Sequence, residues 1–165
     1  MRIARIATPH GPRFVVAQDD QWAEVADPFV DPPSRTGACH PAESARLLAP
    51  VQPAVVLGMA HNGAPGDRDL PRQAFLKSAR TVVGPGEPIV LDEQLGQVNV
   101  EGELAVVIGR TCRHLAAAQV SDAILGYTIG NDVTAVDQVP LDEKKCGPAT
   151  APRSRSPVSA PWPTR

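Results

Sequence analysis

The sequence predicts a mixed, β-rich (α+β) fold, and three observations carry that expectation. Short runs of Val, Ile, Leu and Ala recur along the chain. Clusters of Gly, Pro, Asn and Asp separate them, as turns separate strands. Only two stretches, residues 41–48 and 115–125, have the composition of helices.

The elements follow in order. Residues 2–7 and 13–18 read as strands flanking the turn signal His10-Gly11-Pro12. Residues 41–48 read as a short helix stopped by Pro50. Together residues 1–53 read as a small β-rich N-terminal domain. The apolar run 54–59 predicts a buried strand that empties into His61-Asn62-Gly63-Ala64-Pro65-Gly66-Asp67, a loop by composition. Phe75-Leu76-Lys77 is extended, residues 82–86 turn, and residues 88–91 read as another strand. The longest β-like stretch is 98–108; residues 115–125 read as a helix. Residues 126–129 form a strand that ends in the turn Gly130-Asn131-Asp132. Residues 54–145 thus carry the strongest patterning. Residues 146–165 hold five prolines and no acidic residue, too much proline for a helix or interior strand, and read as a flexible tail.

Composition excludes several functions. A net charge of −2 and a pI near 6.1 give no electrostatic case for nucleic acid or an anionic membrane surface. No apolar run is long enough to span a bilayer. The start, Met1-Arg2-Ile3-Ala4-Arg5, is basic but develops no long apolar stretch, so a secretory leader is not expected. Cys39, Cys112 and Cys146 form neither a zinc spacing nor a disulfide framework. Reduced thiols and a cytoplasmic location are the simplest account.

The candidate chemistry lies in Val100-Glu101-Gly102-Glu103-Leu104-Ala105-Val106-Val107-Ile108-Gly109. Strand periodicity puts Glu101 and Glu103 on one face, roughly 6.5–7 Å apart. Beyond the acids both faces are apolar, the pattern of a buried strand. Two carboxylates there repel each other and resist desolvation. Both can stay in water, one can be protonated, or a cation can sit between them. Asp132, at the end of the next strand, offers a third oxygen ligand, and such a set suits a hard divalent cation. His61, in a glycine-rich loop, is the candidate general base; Lys77 is a candidate point charge for a substrate carboxylate. Both also read as ordinary side chains, a solvated loop histidine and a lysine that lies at the surface or pairs with a nearby acid.

These motifs closely resemble the signature of the fumarylacetoacetate hydrolase family. The similarity rests on Glu101-Gly102-Glu103-Leu104-Ala105-Val106-Val107-Ile108-Gly109, Gly126-Tyr127-Thr128-Ile129-Gly130-Asn131-Asp132-Val133-Thr134-Ala135, and the upstream Phe75-Leu76-Lys77 and Val83-Gly84-Pro85-Gly86-Glu87-Pro88-Ile89. The resemblance implies a β roll or barrel, incomplete here, with Mg²⁺ or Mn²⁺ held by Glu101, Glu103 and Asp132. It implies hydrolysis or isomerisation of β-diketo acids and related 2-oxo or 2-hydroxy dienoates in aromatic catabolism, and a homodimer.

The chain also departs from that pattern. Where many members carry an arginine and a glutamine after the ligand aspartate, it has Val136 and Val139, with Gln138 one place early. The family's lid pairs a histidine with a glutamate, but Asn62 follows His61 and no glutamate lies near it. Members continue for roughly a hundred residues past position 145, and Ser156-Pro157-Val158-Ser159-Ala160-Pro161-Trp162 only faintly resembles their next motif. The change of composition suggests a shifted reading frame near residue 145 and an unstable chain. Three functions follow as expectations: a metal-dependent hydrolase or isomerase, a remnant that keeps a weak cation site without turnover, or an unrelated β-rich binding module.

Overall fold

Short runs rich in Ile, Val, Ala and Phe build a four-stranded antiparallel sheet ordered β1-β2-β3-β4. The strands are β1 (Ile3–Ile6), β2 (Arg13–Gln18), β3 (Gln21–Val25) and β4 (Arg35–Pro41). The structure is a computed structural model; it describes residues 1–62, 65–66, 69 and 71–138, and residues 155–160 as backbone alone. Gln18 pairs with Gln21, so Asp19 and Asp20 alone make the turn, with Asp19 at φ 49°. Aspartate is among the few residues that enter this left-handed region readily.

Strand periodicity gives this sheet apolar side chains on both faces. Ala4, Ile6 and Val15 pack with Trp22 and Leu47 on one side. Val16, Ala23 and Val25 pack with Ile3 and Phe14 on the other. Arg5 is buried over the Phe14 ring, 5.6 Å from its centroid, and donates to the Ala49 carbonyl at 3.0 Å. Burial pulls its guanidinium below the ordinary arginine range.

The helix expected at residues 41–48 does not form. Residues 42–44 turn, and residues 46–48 run along the open edge of β1: the Ala7 N–H donates to the Arg46 carbonyl and the Leu48 N–H to that of Arg5, and Ile6 bridges Leu47. Backbone partners on that edge outweigh the mild helix propensity of its Ala and Leu residues.

A hairpin follows, β5 (Val56–Ala60) and β6 (Gln73–Lys77). It is not the buried strand expected from residues 54–59, because only one strand pairs with it and Leu57 stays 64% exposed. Gly58 stands opposite Phe75, whose ring lies where a Cβ at position 58 would be. Gly58→Ala should therefore displace the ring and cost about 1–3 kcal/mol, the usual range for overpacking. Urea unfolding of the variant beside the wild type measures it. Residues 88–91 form no ladder, contrary to expectation, and Pro88 has no N–H to offer one.

The second sheet centres on β9 (Ile124–Ala135). On one side lie β7 (Val98–Asn99) and β8 (Gly102–Ile108); on the other lies β10 (Arg155–Ala160). The expected helix at 115–125 is replaced by two single 3₁₀ turns, Ala117–Gln119 and Ser121–Ala123. Residues 124 and 125 go to β9 instead, anchored where the Gly109 N–H donates to Ala123 at 2.8 Å. The turn expected at 130–132 is also absent: β9 runs straight through it, held by ladders on both sides. The tail expectation changes too. Residues 155–160 pair with β9 as an edge strand, where proline is tolerated; the rest of 146–165 lies outside the described residues.

The two faces of β8 differ, against the expectation of a strand buried on both. Leu104 (68% exposed), Val106, Ile108 and, from β9, Tyr127 (60%) project from the more open one. Among the described residues no helix is long and apolar enough to cross a membrane.

Candidate metal centre

The register of the central sheet builds the site. Asn99 stands opposite Thr134 and Gly102 opposite Asn131. β7 and β8 are thus two halves of one strand, and Glu101, in the break between them, falls opposite Asp132. The Asp132 N–H donates to the Glu101 carbonyl at 2.7 Å, which keeps the two in register across the break. The Asn131 side-chain oxygen accepts the Glu101 N–H at 3.2 Å and braces the same point. Glu103, two residues on, returns to the same face. Side chains directly opposite lie about 4.5–5.5 Å apart at Cβ, and like charges there are destabilising.

The ligand oxygens of Glu101, Glu103 and Asp132 all lie within 4.8 Å of one another. Glu103 is exposed, Glu101 half-buried and Asp132 buried, so the group faces solvent from one side. Oxygens bound to one hard cation sit at most about 4–5 Å apart, so small side-chain rotations close the ring. The donor set is all oxygen, as Mg²⁺ and Mn²⁺ prefer, and three protein ligands leave coordination positions for water or a substrate. The residues fit a divalent cation. This is the grouping expected from the sequence, reached through a cross-strand pair rather than two strand ends.

Lys77, the candidate point charge for a substrate carboxylate, meets an acid of the chain itself. It sits at the end of β6 and its ammonium is ion-paired with Asp132 Oδ1. Its side chain is 3% exposed and that of Asp132 2%. An ammonium so far from water needs a counter-charge, and Asp132 supplies it. The Phe75 ring, on the same face of β6, lies 5.8 Å from the ammonium and covers it.

His61 is not brought to this group. In the hairpin Val56 stands opposite Lys77 and Ala60 opposite Gln73. His61 follows Ala60, so roughly 15 Å of strand separates it from the level of Lys77. It is exposed, at φ 57°. Asp67 and Asp69 are the next acids along the sequence that could partner it, and residue 67 is outside the described residues. A groove of about 1290 Å³ opens further along the acid-bearing face, between Val107, Gly126 and Thr128 on one side and Met1, Trp22 and Leu48 on the other. The acids do not line it.

Two contributions escaped the sequence. The Asn131 brace was hidden in an apparent turn, and the Lys77–Asp132 pair joins positions far apart in the chain. The Phe-Leu-Lys motif flagged the lysine but not its partner.

Residues 45–162 match the family described as fumarylacetoacetate (FAA) hydrolase, C-terminal. That match takes in more than half of the chain. The chain belongs to the fumarylacetoacetate hydrolase family. Residues 1–50 match a second description, Rv2993c-like, N-terminal. The fumarylacetoacetate hydrolase match runs on through the proline-rich segment to residue 162. Protein Rv2993c of Mycobacterium tuberculosis is 39% identical over 155 residues, covering 86% of this chain and 58% of that protein. The chain thus spans little more than half the length of this relative. Among solved structures, 2-hydroxyhepta-2,4-diene-1,7-dioate isomerase from Mycobacterium marinum is 39% identical with a TM-score of 0.81, covering 98% of this chain and 65% of that one. 5-Carboxymethyl-2-hydroxymuconate delta-isomerase from Mycobacterium smegmatis is 37% identical with a TM-score of 0.79, covering 98% and 66%. These likenesses bear out the β-rich fold expected from the sequence.

Proposed function

We propose that this chain carries the cation-binding part of a hydrolase or isomerase acting on 2-oxo or 2-hydroxy acids, such as β-diketo acids or hydroxy-dienedioates. The observation that carries the reading is the set of three carboxylates on two paired strands, one of them buried, with ligand atoms within 4.8 Å. Like charges placed opposite one another are a cost that sheets avoid unless something offsets it. Mg²⁺ or Mn²⁺ bound there would supply Lewis-acid polarisation of the acid's keto or enol oxygens. The names of the two isomerase structures support small unsaturated 2-hydroxy acids with two or three carboxylates.

In this reading Glu101, Glu103 and Asp132 hold the ion, and His61, exposed beyond β5 and away from the acids in this structure, takes the proton when its loop closes over a bound substrate. Residues 1–53 act as a small lead-in domain and residues 54–145 as the first part of the catalytic domain. The protein works in the cytoplasm as a homodimer. His61→Asn should lower turnover about a hundredfold or more, the usual contribution of a general base, while leaving cation affinity unchanged. Loss of substrate absorbance with acylpyruvates and hydroxy-dienedioates, measured beside Mn²⁺ titration, checks both. Unchanged turnover would remove His61 from the reaction.

A second reading, a cation-binding remnant without turnover, is favoured by the exposed apolar side chains of Leu104, Val106 and Tyr127. Cation binding with no turnover of any acid in that series would select it.

A further inference from the structure

We propose that Lys77 is a fourth charged member of the centre, a positioning residue that matches the site to a doubly charged ion. The inference rests on the reading of Glu101, Glu103 and Asp132 as a cation site. Lys77 reaches that site from a different sheet and pairs with the most buried of its three acids. The pair holds one carboxylate oxygen of Asp132 and so fixes how that carboxylate faces Glu101 and Glu103.

The charges then decide which ion is accommodated. Three carboxylates and one ammonium leave two negative charges in a partly buried space. A divalent ion neutralises them. A trivalent ion leaves one positive charge, and a monovalent ion leaves one negative charge; either costs more beside the buried Lys77–Asp132 pair than it would in water. Neutralising Lys77 leaves three negative charges, which a trivalent ion matches instead. The carboxylate cluster alone, without the lysine, would rank ions the other way.

The test is calorimetric titration of the full chain with Mn²⁺ and with Tb³⁺, in the wild type, Lys77→Met, Lys77→Arg and a Glu101→Gln/Glu103→Gln control. The Tb³⁺-to-Mn²⁺ affinity ratio should rise at least tenfold in Lys77→Met and return towards the wild-type ratio in Lys77→Arg. Lys77 as mere packing predicts no change of ratio. Should Lys77→Met fail to fold, Lys77→Gln removes the same charge while keeping a hydrogen-bond donor for Asp132, and the same ratio is read. A neutral variant within twofold of the wild-type ratio, with binding still lost in the control, would overturn the role of Lys77 and leave the cation site standing. Wild-type binding that survives in the control, or is absent altogether, would overturn the site and the proposal together.

Discussion

Millimolar Mg²⁺ or Mn²⁺ should raise the unfolding temperature of the wild-type chain and leave that of a Glu101→Gln/Glu103→Gln variant unmoved. An ion that binds only the folded form stabilises it by about 2.7 kcal/mol at a hundredfold excess over its dissociation constant. For a chain of this size that is roughly 5–11 °C. The variant keeps the shape of both side chains and removes only their charge. It therefore carries a second expectation of opposite sign. Without added ion it should be as stable as the wild type, or more so by about 0.2–1 kcal/mol, because the repulsion between Glu101 and Asp132 is gone. A general packing defect lowers stability in both conditions, whereas loss of the ion site lowers it only where the ion is present. Thermal unfolding at several ion concentrations separates the two.

Asp132→Ala should cost about 3–5 kcal/mol even without any ion, because it leaves the Lys77 ammonium buried without its counter-charge. Lys77 and Asp132 side chains are only 3% and 2% exposed, so water cannot take over the lost contact at the surface. The double variant Lys77→Met/Asp132→Ala should recover much of that loss, since removing both charges leaves neither stranded. A double-mutant cycle in urea gives the coupling directly. A near-additive cycle would mean that the pair is not coupled in solution. This effect is independent of cation binding, so it tests the joint between the β5–β6 hairpin and the central sheet on its own terms.

Much of the site was legible because strand geometry makes it local. The Glu-x-Glu spacing alone puts Glu101 and Glu103 on one face. Asp132 offered itself as a third ligand at the end of the next strand, and the resemblance strengthened that reading. Its setting was misread, because Gly130-Asn131-Asp132 has the composition of a turn. Ladders on both sides of β9 keep that segment extended, and the apparent turn residue Asn131 serves as a brace for Glu101. Lys77 was legible as a candidate and not as a partner, because no short-range pattern reports which acid a lysine meets across two sheets.

The fold divides in the same way. β2 was read to the residue because Phe14, Val15 and Val16 are strong strand formers between turn signals. β3 and β4 were not separated. β4 contains Gly37 and polar residues, and its pairing with β3 is irregular between Ala23 and Val25. Both expected helices failed where backbone partners on a neighbouring strand were available. Residues 41–48 and 115–125 have only moderate helix propensity, and such preferences yield to tertiary pairing.

The most direct test of the account is a crystal of the chain grown with Mn²⁺, with diffraction collected at the manganese absorption edge. The account predicts one anomalous peak bounded by Glu101, Glu103 and Asp132, at roughly 2.0–2.3 Å from an oxygen of each, with Lys77 still on Asp132. An anomalous map with manganese elsewhere and these three carboxylates open to solvent would contradict it.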